Sequence, residues 1–259
     1  MRPLPDCRKI REDILHCAAA SGHGHVPTSF SVVEMLVAVY ATMRHDPANA
    51  SWSERDLFVL SKGHAALGHY CVLASYGYLS REECMTIGTA SSRLGCHADR
   101  LKVPGIEAST GSLGHGIGLA TGMALGLKVR KSPRHVYVLV GDGESNEGSV
   151  WEAVMVAVDQ KLSNLTILYD DNRSQTRCLQ IPNPGERFAA FGCHVCEVDG
   201  HDVAAIQAAL REPPRGVKAI VCRTRKGHGC ATLHKDFHAW HRRSPTRDEH
   251  AQLVKELHA

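Results

Sequence analysis

From Val136 onwards the chain alternates short apolar runs with stretches of helical periodicity, and this alternation restricts the fold more than any other feature of the sequence. Val136–Val140 (VYVLV), Leu165–Tyr169 (LTILY), Val195–Val198 and Ala219–Cys222 have the length and β-branched or aromatic content of buried strands. The intervening Ser149–Gln160, Glu186–Phe191 and Val203–Leu210 read as helices. Strands joined by helical crossovers pair in parallel, so the expected class is α/β: a mainly parallel central sheet with helices on both faces. The first third adds helices at Ile10–Ala20, at Ser31–Met43 with an apolar face of Val32, Met35, Leu36 and Val39, and at Ala65–Tyr76. A strand at Asp56–Leu60 ends in SKGH, and Leu113–Lys131 reads as a helix of small residues able to approach another backbone closely. The segment from Arg223 through AWHRRSP has no clear period and reads as a loop over a site, followed by a terminal helix at Arg247–Leu257. One domain spanning residues 1–259 is expected.

Composition narrows the function classes. Hydrophobic residues are 43% and charged residues 22%, ordinary for a packed globular chain. The net charge of +3, from 30 basic and 27 acidic residues, is too balanced to predict a nucleic-acid or membrane surface, so an anionic ligand would be handled locally. Charges interrupt the first apolar turns, which argues against a signal peptide, and no stretch approaches the ~20 apolar residues of a membrane helix. Ten cysteines, among them Cys7, Cys17, Cys71, Cys84 and Cys222, lie in core-like segments without a framework of spacings, which suits a reducing cytoplasm. Cys193-His194-Val195-Cys196 has CxxC spacing, but it lacks a second ligand pair and runs into an alternating strand, so it is read as structural.

In an open parallel sheet, ligands bind where the carboxyl ends of the strands converge. VYVLV runs into Gly141-Asp142-Gly143-Glu144, and LTILY into Asp170-Asp171-Asn172. Either segment alone reads equally as a turn. Together they place a carboxylate and an amide oxygen at neighbouring strand ends, hard ligands suited to Mg²⁺ or Ca²⁺. Glycines on both sides of Asp142 admit a phosphate, and the following helix offers its N-terminus to the charge. The expected site is a metal-bridged diphosphate.

The run GDGESNEGSVWEAVMVAVDQKLSNLTILYDDN resembles the thiamine-diphosphate motif, which begins at GDG and closes at an Asn, here Asn172. ASGHGH, LSKGHAALGHY, GCHADRLKVPGIEASTGSLGHGIGLATGMA, FGCHVCEVDGHD and AWHRRSP are similar, in the same order, to segments of transketolases. The resemblance implies thiamine diphosphate and Mg²⁺ (or Ca²⁺) as cofactors, with Asp142, Asn172 and the Ser174 carbonyl as metal ligands. It implies diphosphate contacts from Gly141, Gly143, Glu144, Asn172, His64 and His241, and contacts to the aminopyrimidine from Gly111 and Leu113. His23, His64, His97 and His241 would form the catalytic cleft, where imidazole moves protons near neutral pH. His25-Val26, Ala98 and the RSQTRCLQ run after Asn172 depart from the usual family segments.

The family's activating glutamate belongs to a pyrimidine-binding domain not recognised in these residues. The resemblance therefore implies a separate C-terminal transketolase subunit carrying that domain, and homodimerisation of this chain within an α2β2 assembly, with Glu147 and Glu152 facing the symmetry-related subunit. The expected reaction moves a two-carbon ketol unit from a ketose donor, a sugar or sugar phosphate, to an aldehyde acceptor. The competing readings are the α subunit of a 2-oxo acid dehydrogenase, which shares GDG…N, and a non-catalytic relic of the fold; SKGHA and TGSLG favour transketolase.

Overall fold

The structure, a computed structural model, describes residues 4–177 and 179–259. Helix α1 (Cys7–Ser21) is opened by the Asp6 carboxylate, which accepts from the Arg8 N–H at 2.8 Å, and closed by Gly22 in the left-handed conformation (φ 71°). α2 (Val26–Ser31) and α3 (Val33–Thr42) follow. The expected single helix from Ser31 thus begins earlier and is broken at Val32, whose ψ of −1° interrupts the helix. Strand β1 (Leu57–Leu60) leads to α4 (Ala66–Tyr76), the short α5 (Arg81–Cys84) and α6 (His115–Val129). The alternating half comprises β2 (Val136–Gly141), α7 (Gly148–Asp159), β3 (Leu165–Asp171), α8 (Pro184–Ala190), β4 (His194–Asp199), α9 (Val203–Arg211) and β5 (Lys218–Arg223). The region expected to be a loop contains a short helix, α10 (Ala231–Lys235), before α11 (Arg247–Leu257) with its Thr246–Glu249 capping box.

Among the described residues the five strands form one wholly parallel sheet in the order β1-β2-β3-β5-β4. Alternate residues of each strand serve opposite faces. Phe58, Leu60, Leu139, Leu168 and Ile220 join the core against α1, α3, α4 and α9, whereas Val59, Val138, Val140, Ile167 and Val221 join the core against α6 and α7. This is why the central strands read as unbroken apolar runs. Each such side chain, once fully buried, contributes about 1.5–3 kcal/mol. Because every strand points the same way, the carboxyl ends of β1, β2, β3 and β5 meet at one edge of the sheet.

Candidate active site

At that edge Gly141 of β2 is in register with Asp170 of β3, and the Asp142 N–H donates to the Asp170 carbonyl at 3.1 Å. Asp142 is fully buried. Its Oδ1 accepts from the Gly143 N–H (2.7 Å) and the Ser174 hydroxyl (2.5 Å), and its Oδ2 from the Gln175 N–H at 3.4 Å. Among the described residues it forms no ion pair within 4 Å, so a buried carboxylate stands beside a cavity with no basic side chain to pair it. Asn172 completes the oxygen set. Its Nδ2 donates to Asp170 Oδ2 (2.8 Å) and Ser31 Oγ (3.1 Å), which turns Oδ1 towards the Ser174 N–H at 3.0 Å. Carboxylate and amide oxygens held this way fit a hard divalent cation.

A cavity of about 500 Å³ opens in front of these groups. Gly143 lies on its floor, where an added Cβ would stand 3.1 Å from Ser174 Oγ. Lys62, Lys226 and Arg242 supply positive charge around it. Lys62 is spent internally, since its Nζ lies 2.5 Å from Asp170 Oδ2 with both groups buried. Lys226 is buried with no carboxylate within ion-pair distance among the described residues; burial, with Lys62 nearby, lowers its amino group to about 8. The arrangement fits a diphosphate beside a metal ion.

Four imidazoles face this floor. His25 is central: its ring centroid lies 5.4 Å from His64, 5.1 Å from His241 and 6.3 Å from His97, and His64 and His241 are 5.7 Å apart. Burial first, then neighbouring cationic groups, lowers His25 and His241 to about 4 and holds His64 well below its ordinary value. His97, at the exposed rim, is lowered by partial burial and by Arg242. Three of the four predicted histidines therefore line the cavity. His23 does not: it is exposed and packs against Gly88, where an added Cβ would come within 2.8 Å of its ring. His25 occupies the central position instead.

Glu144 lines the cavity and is also bonded internally. Its Oε1 accepts from Ser61 Oγ (2.5 Å) and the Gly114 N–H (3.0 Å), and its Oε2 from the Gly141 N–H (3.1 Å). It ties the ends of β1 and β2 to the start of α6, and so positions the site. Gly111 and Leu113 border the cavity, and Gly111 also borders an apolar cavity of about 840 Å³ between α6 and α7. That larger space lacks the convergent charged groups of the smaller one. Ser174 contributes its N–H and hydroxyl to Asn172 and Asp142. Lys62, Lys226, His25 and Arg242 are additions to the predicted set. Lys62 and Lys226 follow the carboxyl ends of β1 and β5, the signal that could have found them.

The family described as transketolase, thiamine diphosphate binding domain, matches residues 7–258. This chain belongs to it. One component of the apulose-4-phosphate transketolase of Actinobacillus succinogenes is 36% identical over 252 residues, covering 94% of this chain and 91% of that protein. A 6-deoxy-6-sulfo-D-fructose transketolase subunit of a Clostridium species is 38% identical over 231 residues, covering 86% and 84%. Among solved structures, a Pichia stipitis transketolase in complex with fructose-6-phosphate superposes with a TM-score of 0.87 at 29% identity, covering 97% of this chain. The chain spans 40% of the length of that transketolase, and 41% of the human transketolase to which it is 36% identical. The relatives are transketolases, so thiamine diphosphate is the cofactor of this fold and the dehydrogenase alternative falls away.

Proposed function

We propose that this chain is the thiamine-diphosphate-binding subunit of a two-component transketolase. It moves a two-carbon ketol unit from a ketose donor, a sugar or sugar phosphate, to an aldehyde acceptor. The observation that carries this reading is the buried Asp142, unpaired by any described basic side chain, beside Asn172 and facing a cleft of neutral histidines. Asp142, Asn172 and the Ser174 carbonyl would hold Mg²⁺ (or Ca²⁺), Gly143 would let the diphosphate approach, and Lys226 and Arg242 would offset its charge. Thiamine diphosphate, when bound, supplies the carbanion chemistry that breaks and makes the carbon–carbon bond. Burial and neighbouring charges favour the neutral form of His25, His64 and His241, the form able to take a proton from a sugar hydroxyl. Gly111 and Leu113 support the aminopyrimidine where the polar cavity meets the apolar one.

The two bacterial relatives named as transketolase subunits, matched over 91% and 84% of their length, support a separate partner carrying the pyrimidine-binding domain. Self-association of this chain within an α2β2 assembly is supported by α6 and α7, which expose Leu119 (47%), Met155 (54%) and Val156 (50%). Gly118, Gly122 and Gly126 leave open space along the same helix, and Glu152 borders the apolar cavity there. No described helix is long and apolar enough to cross a membrane. The described cysteines are free, which supports a cytoplasmic setting. The test is to purify this chain and its candidate partner separately, then assay ketose cleavage alone and mixed while measuring mass by light scattering. The expected result is activity and a heterotetramer only in the mixture. Robust ketol transfer by this chain alone would overturn the reading.

A further inference from the structure

We infer that His194, Cys196 and Glu212 form a binding site for a borderline-soft divalent cation such as Zn²⁺, on the edge strand and away from the strand ends that build the cleft. The CxxC segment is not a dithiol pair. Strand alternation sends Cys193 and Val195 into the core against α6 and α7, while His194 and Cys196 share the other face of β4. Glu212, just past the end of α9, reaches into the space between them. His194 Nε2 lies 3.4 Å from Glu212 Oε1, Cys196 Sγ lies 3.4 Å from Glu212 Oε2, and one ligand atom from each residue falls within 4.8 Å of the others. Tetrahedral zinc with ordinary ligand distances has N···O and S···O edges of about 3.3 and 3.5 Å to a single oxygen; the two separations here go to different oxygens of Glu212, so a turn of its carboxylate about the soft terminal torsion brings one oxygen between both donors.

The donor set also selects the metal. Imidazole, thiolate and carboxylate together suit zinc, whereas the oxygen-only set of Asp142 and Asn172 suits magnesium, so the two sites would not compete for one ion. Lys218 Nζ donates to the carbonyls of Ala209 (2.7 Å), Leu210 (3.3 Å) and Glu212, which fixes the end of α9 and hence the carboxylate. The Glu212 side chain is 39% exposed, giving a cation a way in, and three ligands leave a fourth position for water. His194 Nδ1 is buried without a hydrogen-bond partner, so the ring lacks the outer support of tight sites, and weaker binding than in a four-ligand structural site follows. The inference is independent of the ketol-transfer reading, because no cleft residue takes part.

The test is a Co²⁺ titration of the full chain, reduced and freed of metal, in excess Mg²⁺ to occupy the oxygen site. One equivalent should produce a thiolate-to-cobalt charge-transfer band and the strong visible bands of four-coordinate cobalt, both bleached by Zn²⁺. Cys196→Ser should abolish the charge-transfer band, His194→Ala and Glu212→Gln should each weaken binding at least about ten-fold, and Cys193→Ser should change nothing. Circular dichroism checks folding, and the half-exposed Glu212→Gln decides if a strand variant fails to fold. Absence of the band at saturating Co²⁺, or a band that survives Cys196→Ser, would overturn the site.

Discussion

Asp142→Asn separates a metal ligand from a structural hydrogen-bond acceptor, because the amide replaces the charge and keeps most of the contacts. Its oxygen still accepts from the Gly143 N–H and Ser174 hydroxyl, now 2.7 and 2.5 Å away; only the long contact from the Gln175 N–H, at 3.4 Å, is given up. In the free chain the lost charge–dipole contacts and the removed cost of a buried charge oppose each other, so stability should change by no more than about 1 kcal/mol, or roughly 2–4 °C in melting temperature. With Mg²⁺ and thiamine diphosphate the balance is lost. Neutralising one partner of a buried charge pair costs about 3–5 kcal/mol, which is more than about a hundred-fold in affinity. Calorimetric titration of the reconstituted complex, beside melting curves of the free chain, reads both quantities. Unchanged cofactor affinity would refute the ligand assignment. A free-chain melting point lowered by about ten degrees or more, well beyond the small shift worked out above, would refute the premise that Asp142 is held in place for a cation.

Three further outcomes follow from the same geometry. His64→Ala or His241→Ala should lower turnover by at least about a hundred-fold while moving the melting point by only a few degrees, read by steady-state kinetics beside thermal unfolding; losses that merely track stability would remove both from catalysis. Thiamine diphosphate affinity should be full below pH 8 and fall as Lys226 deprotonates above its value of about 8, and Lys226→Met should flatten that profile. The free chain should respond in the opposite sense: the unfolded state holds the Lys226 proton up to about pH 10.5, so this group's contribution to folding stability rises between about 8 and 10.5. Charging the open face of α6 and α7 with Leu119→Glu and Met155→Asp, both half-exposed, should reduce self-association by light scattering and leave the free chain's melting point nearly unchanged.

The strands were legible because both faces of the sheet are covered, which forces each central strand into an unbroken apolar run. The break at Val32 was not, because nothing in FSVVEM interrupts the apolar pattern; yet Pro27, at the first turn of α2, marked the earlier start. Asp142 and Asn172 were legible as a pair because consecutive strands β2 and β3 are also neighbours in the sheet. Lys226 was not. It reaches the cleft because β5 inserts between β3 and β4, and no local pattern encodes that order. The same holds for His194, Cys196 and Glu212, since the packing of α9 on β4 supplies the third ligand. His23 carried the family match and His25 stood as a departure from it; the two flank Gly24, and with α2 beginning at Val26 the second lines the cavity and the first is exposed.

The cleft's charges explain why its histidines are poor bases before a ligand arrives. Lys226 and Arg242 form no ion pair within 4 Å among the described residues, and after burial the charges of Lys226, whose Nζ lies 3.4 Å from His241 Nδ1, of Lys62 and of Arg242 hold His241 at about 4. That excess positive charge attracts a diphosphate. A bound diphosphate should offset part of that positive charge at the imidazoles, with Mg²⁺ beside Asp142 reducing the effect. Occupation of the site should therefore move the His241 titration midpoint upward, towards the ordinary value near 6.5, and make the ring a better proton acceptor at the pH where the enzyme works. Following the His241 ring resonance by NMR against pH, with and without Mg²⁺ and thiamine diphosphate, tests this directly. An upward shift of one unit corresponds to about 1.4 kcal/mol of interaction between ring and anion. A midpoint unmoved by the cofactor would mean that burial alone sets the basicity of His241 and that Lys226 and Arg242 do not act on it.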